Sequence, residues 1–183
     1  MPSEPFLKKS TFEEAYKLAF NVNEKVKLVP VGNWIIGSSY IADMMKWRNV
    51  HRQNFFFDGK VDIFSFERYV LTPFLSENSR LLFSIFVDGV FAGHVGMNNL
   101  GRGSFEVTQV VKGRFKPEFQ MHVVISVLLK IYKEKFNLSK ASLHVKEHNE
   151  RAITLYKKCG FDIVGACGKG HTECTFMSQT TGT

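Results

Sequence analysis

The sequence has little of what builds a cross-linked or membrane-spanning protein. Its 183 residues include only three cysteines, Cys159, Cys167 and Cys174. This small, odd number predicts no disulfide framework and favours a reducing compartment, which we expect to be the cytoplasm. No apolar run approaches the ~20 residues needed to cross a bilayer, and the first residues lack the basic start and apolar centre of a signal peptide. We therefore expect no membrane partner.

The charged residues also lack a pattern that would indicate nucleic-acid binding. The net charge of +7 favours an anionic partner. Lysine and arginine are scattered, however, without a basic block or an aromatic-basic platform, so we expect no nucleic-acid partner. An anionic cofactor or a nucleotide-linked substrate accounts for the charge equally well, and a basic protein with no special partner is the plain alternative. The 18 phenylalanines indicate an aromatic core or an apolar pocket.

The chain contains no repeat, linker or change of composition, and it predicts one domain over residues 1–183, with residues 1–22 as an arm and a helix. Thr11 and Glu14 form a capping box for that helix, and Asp88-Gly89 predicts a hairpin turn. Apolar spacing then predicts a strand, two helices, three strands, a helix, a strand, a helix and two strands. Their residues are 26–31, 38–50, 65–75, 81–87, 91–98, 105–111, 121–136, 141–145, 150–159, 161–164 and 172–177.

The most informative stretch runs from Ala141 to Gly165. A strict two-residue alternation predicts a half-buried strand at its start. Asn149 then predicts a helix N-cap, because its side-chain oxygen accepts from an unpaired amide of the first turn. A three-and-four apolar spacing follows, and Gly160 supplies the left-handed residue that ends the helix.

Ten positions of this stretch resemble the C-terminal acyl-CoA-binding motif of the GNAT superfamily of N-acyltransferases. They are Leu143, Val145, Asn149, Ala152, Leu155, Tyr156, Lys158, Gly160, Phe161 and Gly165. The order of predicted elements is also that of the superfamily. The resemblance implies an α/β (α+β) fold: a single GNAT-like domain whose mixed, mostly antiparallel and splayed central sheet is flanked by helices.

The resemblance also implies acyl-CoA, with an acetyl or larger acyl group, as a co-substrate. In the superfamily, pantetheine lies where the fourth strand splays from the fifth, and a loop presents amides to the pyrophosphate at the next helix N-terminus. Carried onto this chain, these contacts fall on Val110, Val111, Lys112, Gly113, Arg114, Lys116, Met121, His122, Asn149, Ala152, Tyr156 and Lys158. The loop departs from the usual pattern because it contains only one glycine, Gly113, so the mode of pyrophosphate binding stays open.

N-acyl transfer needs a neutral amine, a donor for the oxyanion and a proton for the leaving thiolate. The resemblance implies Tyr156 as the residue that protonates the thiolate or hydrogen-bonds the sulfur; the alternative is a core aromatic on the apolar helix face. The base stays open among Glu106, where some relatives have a catalytic glutamate, His94, His122 and an ordered water.

Trp47-Arg48-Asn49 resembles a segment of superfamily members that acylate nucleotide-linked amino sugars or ribosomal proteins. It implies a substrate-binding role for these residues, in which Arg48 or Arg52 pairs with a substrate phosphate, and Asn98 is a further candidate. The alternative is a core tryptophan beside solvated arginines.

Cys167, His171 and Cys174 have a spacing that suits zinc, but no fourth ligand lies nearby in the sequence, and we expect no metal.

The sequence thus predicts an acyl-CoA-dependent N-acyltransferase. Its preferred acceptor is a nucleotide-linked amino sugar of surface-polysaccharide synthesis, acylated by direct attack in a ternary complex. A protein or peptide amine is the main alternative, followed by a small amine, and a non-catalytic module that binds CoA or nucleic acid is a further one. The acyl chain and the oligomeric state stay open, with a homodimer among the options.

Overall fold

A single eight-stranded sheet forms the centre of the computed structural model, which describes residues 11–101, 103–113, 118–137, 139–167 and 174–180. The strands are β1 (Phe20–Asn21), β2 (Val26–Pro30), β3 (Leu81–Val87), β4 (Val90–Gly101), β5 (Ser104–Lys112), β6 (Lys140–Lys146), β7 (Asp162–Ala166) and β8 (Cys174–Thr180). Their order in the sheet is β1-β2-β3-β4-β5-β6-β8-β7. Neighbouring strands are antiparallel except β5 and β6, which are parallel. The predicted mixed, mostly antiparallel sheet is confirmed.

Helices cover both faces of this sheet. They are α1 (Phe12–Lys17), α2 (Ser39–Val50), α3 (Ile63–Phe66), α4 (Thr72–Ser76), α5 (Met121–Phe136) and α6 (Glu150–Lys158). A π-helical turn, Glu67–Leu71, joins α3 to α4. The helix predicted over 65–75 is therefore one continuous helical stretch whose middle turn is π-helical. The capping box of Thr11 and Glu14 is confirmed, but α1 ends at Lys17 because the chain then turns into β1.

The side chains of β2 and β3 alternate between two hydrophobic clusters. Leu28 and Ile85 lie in the cluster that contains the apolar faces of α5 and α6. Val29 and Phe86 lie in the cluster that contains residues of α1, α2 and the α3–α4 stretch. Because successive strand residues point to opposite faces, the sheet separates the α5–α6 side from the α2 side.

The two parallel strands stay together for only three residues. The pairs are Ser104 with Lys140, Phe105 with Ala141, and Glu106 with Ser142. Beyond Glu106, β5 and β6 each continue without pairing to the other, so the sheet opens between them. This opening agrees with the splay that the resemblance implied, and it positions the site described below.

A β-bulge in β5 lies beside this opening. His94 pairs with Val111 and Gly96 pairs with Thr108, so β5 has one more residue than β4 between these pairs. Gln109 takes up the extra residue with a left-handed φ of 48°. The bulge changes which face the strand presents, because Val107 lies in the α5–α6 cluster whereas Val111 lies in the α2 cluster.

One expectation about cysteine is corrected. Cys159 is free and buried, but Cys167 is disulfide-bonded. Ala166 pairs with Thr175 across the antiparallel β7 and β8, so a residue directly after Ala166 lies close to the opposite strand.

Among the described residues, no helix is both long and apolar enough to span a membrane.

Candidate active site

A cavity of about 730 Å³ lies where β5 and β6 separate. The second half of β5, from Val107 to Lys112, forms one wall, and His144 and Val145 of β6 contribute to the opposite side. The start of α5, the inner face of α6 and the segment after α2 complete it. Its volume is within the usual range for a small-molecule site.

The β5 wall and the start of α5 contain many of the predicted cofactor residues. Val110, Val111, Lys112, Met121 and His122 all line the cavity. The first amides of a helix have no intrahelical acceptor, and no side chain caps α5 at Gln120. The cavity therefore combines an unpaired strand edge with a helix N-terminus, an arrangement that suits an extended amide-containing chain ending in a phosphate.

The loop after β5 is held in a way that the sequence did not predict. Lys112 Nζ donates a hydrogen bond of 2.7 Å to the Phe119 carbonyl, so the lysine links the two ends of the loop. Gly113 does not line the cavity but packs on Trp47, where a Cβ atom would lie 2.0 Å from the indole ring. Glycine is needed there for packing. Arg114 and Lys116 lie outside the described residues.

Helix α6 presents the motif residues to the cavity. Asn149 Oδ1 accepts a hydrogen bond of 3.2 Å from the Ala152 amide, which confirms the predicted N-cap. Asn149, Ala152, Tyr156 and Lys158 all line the cavity, as does Arg151, which sequence analysis missed.

Tyr156 is a buried residue of the cavity wall. Burial raises the pKa of its phenol, and the neighbouring Cys159 raises it further. Because a raised pKa favours the protonated form, Tyr156 keeps its proton at neutral and moderately alkaline pH. Its position and protonation state suit a proton donor.

The Trp47-Arg48-Asn49 segment has a different arrangement from the expected one. Trp47 is a core residue whose ring centroid lies 4.9 Å from that of Phe91, and it does not line the cavity. Asn49 does not line it either, because its side chain is hydrogen-bonded to the backbone of Val61 at 2.8 and 3.0 Å. Arg48 alone of the three lines the cavity.

Arg48 and Asn49 together hold the segment 55–61 against α2. The Arg48 guanidinium donates to the carbonyls of Phe57 and Gly59 and lies 5.4 Å from the centroid of the Phe55 ring. Burial lowers the pKa of Arg48, and nearby Asp58 opposes this change. The result is a fixed aromatic wall, which Tyr69 and Val70 extend; its residues are Phe55, Phe56, Phe57, Tyr69 and Val70.

Two proposed bases lie away from the cavity wall. His94 is fully buried beside Trp47, burial lowers its pKa to about 3, and neither ring nitrogen has a hydrogen-bond partner among the described residues. Glu106 lies behind His144: its Oε1 is 2.9 Å from His144 Nδ1, and its Oε2 accepts from Asn99 at 2.9 Å. His144 lines the cavity, although the sequence did not suggest it as a site residue.

The remaining substrate candidates are also outside the cavity. Asn98 lies on β4 opposite Glu106, and its Oδ1 has no hydrogen-bond partner in the described part of the chain. Arg52 is exposed in a 3₁₀ turn after α2. Nearby His51 does line the cavity, and burial, with a smaller effect from Arg151, lowers its pKa.

The charge of the cavity has one sign. Its described lining contains no aspartate or glutamate. It contains four cationic side chains, those of Arg48, Lys112, Arg151 and Lys158. This lining suits a ligand that carries phosphates.

The described residues include no group of three or more potential metal ligands, and two of the proposed zinc ligands, His171 and the Cys174 side chain, lie outside them.

A splayed sheet with a cationic cavity between two parallel strands defines a class of CoA-dependent acyltransferases. The chain belongs to the acetyltransferase (GNAT) family, whose model matches residues 41–161. It is accordingly an acyl-CoA-dependent N-acyltransferase. The bare β5 edge, the α5 N-terminus and the cations of the cavity fit acyl-CoA, whose thioester supplies the acyl group.

Several solved structures share this fold. Spermidine N-acetyltransferase from Vibrio cholerae, in complex with CoA and spermine, is 16% identical over 87% of this chain and 97% of its own, with a TM-score of 0.70. The Salmonella typhimurium enzyme that modifies the N-terminal serine of ribosomal protein L7/L12 is 10% identical over 88% and 98%, with a TM-score of 0.74. The Campylobacter jejuni N-acetyltransferase PseH is 18% identical over 86% of this chain and 99% of its own, with a TM-score of 0.62. No curated protein matches the sequence.

Proposed function

We propose that the acceptor is the amino group of a nucleotide-linked amino sugar, acylated by direct attack on acyl-CoA in a ternary complex. The observation that carries this proposal is the lining of the acceptor side, where an aromatic wall and cations occur without a carboxylate in the described residues. An aromatic wall suits a nucleobase, which stacks on rings, and cations suit the diphosphate that joins it to the sugar.

A polyamine acceptor is disfavoured by the same lining. Spermidine carries several positive charges, and its recognition calls for carboxylates or an aromatic cage free of competing cations. Here the aromatic wall already contacts a cation, because Arg48 lies 5.4 Å from the Phe55 ring centroid and 5.3 Å from that of Phe57.

The phosphate partner in this proposal differs from the one that the sequence suggested. Arg52 is exposed and lies off the cavity, and Arg48 already donates to two carbonyls. Arg151 and His51 line the cavity near one another. We therefore assign the acceptor diphosphate to Arg151, with His51 beside it.

The reaction needs one nucleophilic attack and two proton movements. The neutral amine attacks the thioester carbon, so that the C–N bond forms and the C–S bond breaks. Tyr156, which lines the cavity in its protonated form, gives its proton to the leaving thiolate. The amine loses its own proton to a base, and the acylated sugar and CoA leave.

A protein or peptide amine is the second candidate, and one observation favours it. Phe57 and Tyr69 of the aromatic wall are 64% and 69% exposed, and Phe64, five residues before Tyr69 in the chain, is 79% exposed. Exposed rings of this size are typical of a surface that contacts a polypeptide.

An acceptor panel tests the proposal. Purified protein with acetyl-CoA is assayed for thiol release with uridine, thymidine, guanosine and cytidine diphosphate-linked amino sugars, spermidine, and a peptide that begins with serine. We expect a nucleotide-linked amino sugar to have the highest kcat/KM and the same sugar without its nucleotide to lose at least about tenfold. A preference for spermidine or the peptide would contradict the proposed acceptor. Longer acyl-CoAs with the best amine then define the acyl group.

A further inference from the structure

His144 and Glu106 form a hydrogen-bonded pair at the cavity wall. Glu106 lies on β5 and His144 on β6, at the point where the two strands begin to separate. The Nδ1 atom of His144 is 2.9 Å from Glu106 Oε1, and the Asn99 amide holds the other carboxylate oxygen at 2.9 Å. The histidine lines the cavity and the glutamate does not.

The hydrogen bond determines which imidazole nitrogen is free. An ionised carboxylate only accepts, so the neutral imidazole carries its hydrogen on Nδ1 and donates it to Glu106. Nε2 then has a free lone pair. A ring held in one tautomer by a carboxylate behind it is the arrangement that makes histidine an effective base.

The side of the sheet supports the same role. On β6, Leu143 and Val145 are buried in the α5–α6 cluster, so His144 between them points to the opposite side, where α2 and the aromatic wall lie. The ring is also held by Phe176, whose centroid lies 5.1 Å away. His144 is therefore on the acceptor side of the opening.

We propose that His144 is the general base that takes the proton of the attacking amine and that Glu106 is its positioning residue. This inference rests on the N-acyl transfer described above but not on the identity of the acceptor. As the amine nitrogen bonds to the thioester carbon, Nε2 accepts one N–H proton and the ring becomes imidazolium, which the Glu106 carboxylate stabilises. The C–S bond breaks, and the thiolate takes its proton from Tyr156. His144 then releases its proton to water, and the Tyr156 phenolate takes one from water, so both residues return to their starting states.

Other charged groups near His144 have different positions. Glu106 is the acidic group that contacts it in the described part of the chain. Lys146 lies on the same side of β6, and His51 and Arg151 line the same cavity. None of these is hydrogen-bonded to a carboxylate in the described structure.

The test compares His144→Ala with wild type, using acetyl-CoA and the amine in the panel above that the wild-type enzyme acylates fastest. We expect kcat to fall about 100-fold, as for loss of a general base, while the KM for acetyl-CoA changes less than about twofold. Added imidazole should restore part of the lost kcat, because it supplies the missing base. His148→Ala is the matched control: His148 is exposed and does not line the cavity, and its variant should keep wild-type kcat.

A double-mutant cycle tests the role of Glu106. Glu106→Gln should lower kcat about tenfold in the wild-type background and have little effect on His144→Ala, because the glutamate acts through the histidine. His144→Gln serves if the alanine variant unfolds, and the same loss of kcat is expected. Near-wild-type kcat for a folded His144 variant, no rescue by imidazole, or additive effects of the two substitutions would overturn the proposal. If wild type prefers the peptide to every sugar, the proposed acceptor fails while this test proceeds; acylation of no amine would overturn the transfer step itself.

Discussion

Three consecutive residues of α2 have three different environments, because successive positions on a helix point in different directions. Trp47 packs in the core against Gly113, Arg48 faces the cavity, and Asn49 binds the backbone at Val61. Two of the three residues therefore serve packing and loop positioning, and Arg48 alone lines the cavity.

Tyr156→Phe tests the proton donor at the same scale. We expect kcat to fall by about 10- to 100-fold, because the variant retains the ring but loses the proton that the thiolate needs. The affinity for acetyl-CoA should change little, since the wall of the cavity keeps its shape. Steady-state kinetics and calorimetric titration with acetyl-CoA measure the two quantities separately.

The pH profile gives an internal control for this variant. Burial raises the pKa of Tyr156, so its proton is present below that raised pKa and is lost only in strongly alkaline solution. The wild-type kcat should therefore show no decline from tyrosine ionisation between about pH 7 and pH 9. Equal turnover of Tyr156→Phe and wild type would rule out the assigned role.

At the scale of elements, the segment 55–61 depends on two side chains of α2. Asn49 makes two hydrogen bonds to Val61, and Arg48 donates to the carbonyls of Phe57 and Gly59. The segment has no regular secondary structure over most of its length. Its position, and with it the aromatic wall, therefore depends on these hydrogen bonds.

Asn49→Ala should release this segment. We expect the KM for the acceptor to rise about tenfold and the affinity for acetyl-CoA to stay unchanged, because only the aromatic wall moves. Loss of the two hydrogen bonds should also lower the free energy of unfolding by about 1–3 kcal/mol. Lys46→Ala, at an exposed position of the same helix, is the control and should leave all three quantities as in wild type. A larger loss of acetyl-CoA affinity than of acceptor binding would contradict the assignment of the wall.

Local sequence signals predicted the elements well. The capping box at Thr11, the Asp88-Gly89 turn, the Asn149 cap and the left-handed Gly160 all depend on residues a few positions apart, and all are confirmed. The β5 bulge could not be predicted, because its left-handed residue is Gln109 and a glutamine gives no signal for that conformation.

The motif predicted which residues of α6 line the cavity, but the sequence did not predict the contact that strand pairing brings together there. Tyr156, Asn149 and Ala152 share one helix face, so their spacing brought them to the cavity together. The contact between His144 and Glu106 joins residues 38 positions apart and depends on the register of β5 against β6. A single sequence contains no signal for the strand register or for the hydrogen bonds that hold segment 55–61 against α2.

On the scale of the whole molecule, the sheet separates two functions. Its α5–α6 side supplies the helix N-terminus and the motif residues, and its α2 side supplies the aromatic wall. At the opening between β5 and β6, residues from both sides of the sheet line one cavity. The chain has a net charge of +7, and the described lining of this opening contains cationic side chains and no carboxylate. The opening should therefore attract anionic donors and acceptors.

The most direct test of this account is calorimetric titration of wild type and Ala152→Phe with acetyl-CoA. Ala152 lines the opening, so a phenyl ring there should fill the space for pantetheine. Ala42→Phe, on the exposed side of α2, is the matched control. We predict one-to-one binding to wild type and Ala42→Phe, and at least about 30-fold weaker binding to a folded Ala152→Phe, a loss of about 2 kcal/mol. Absence of binding to wild type, or equal binding to all three proteins, would contradict the placement of acyl-CoA between β5 and β6.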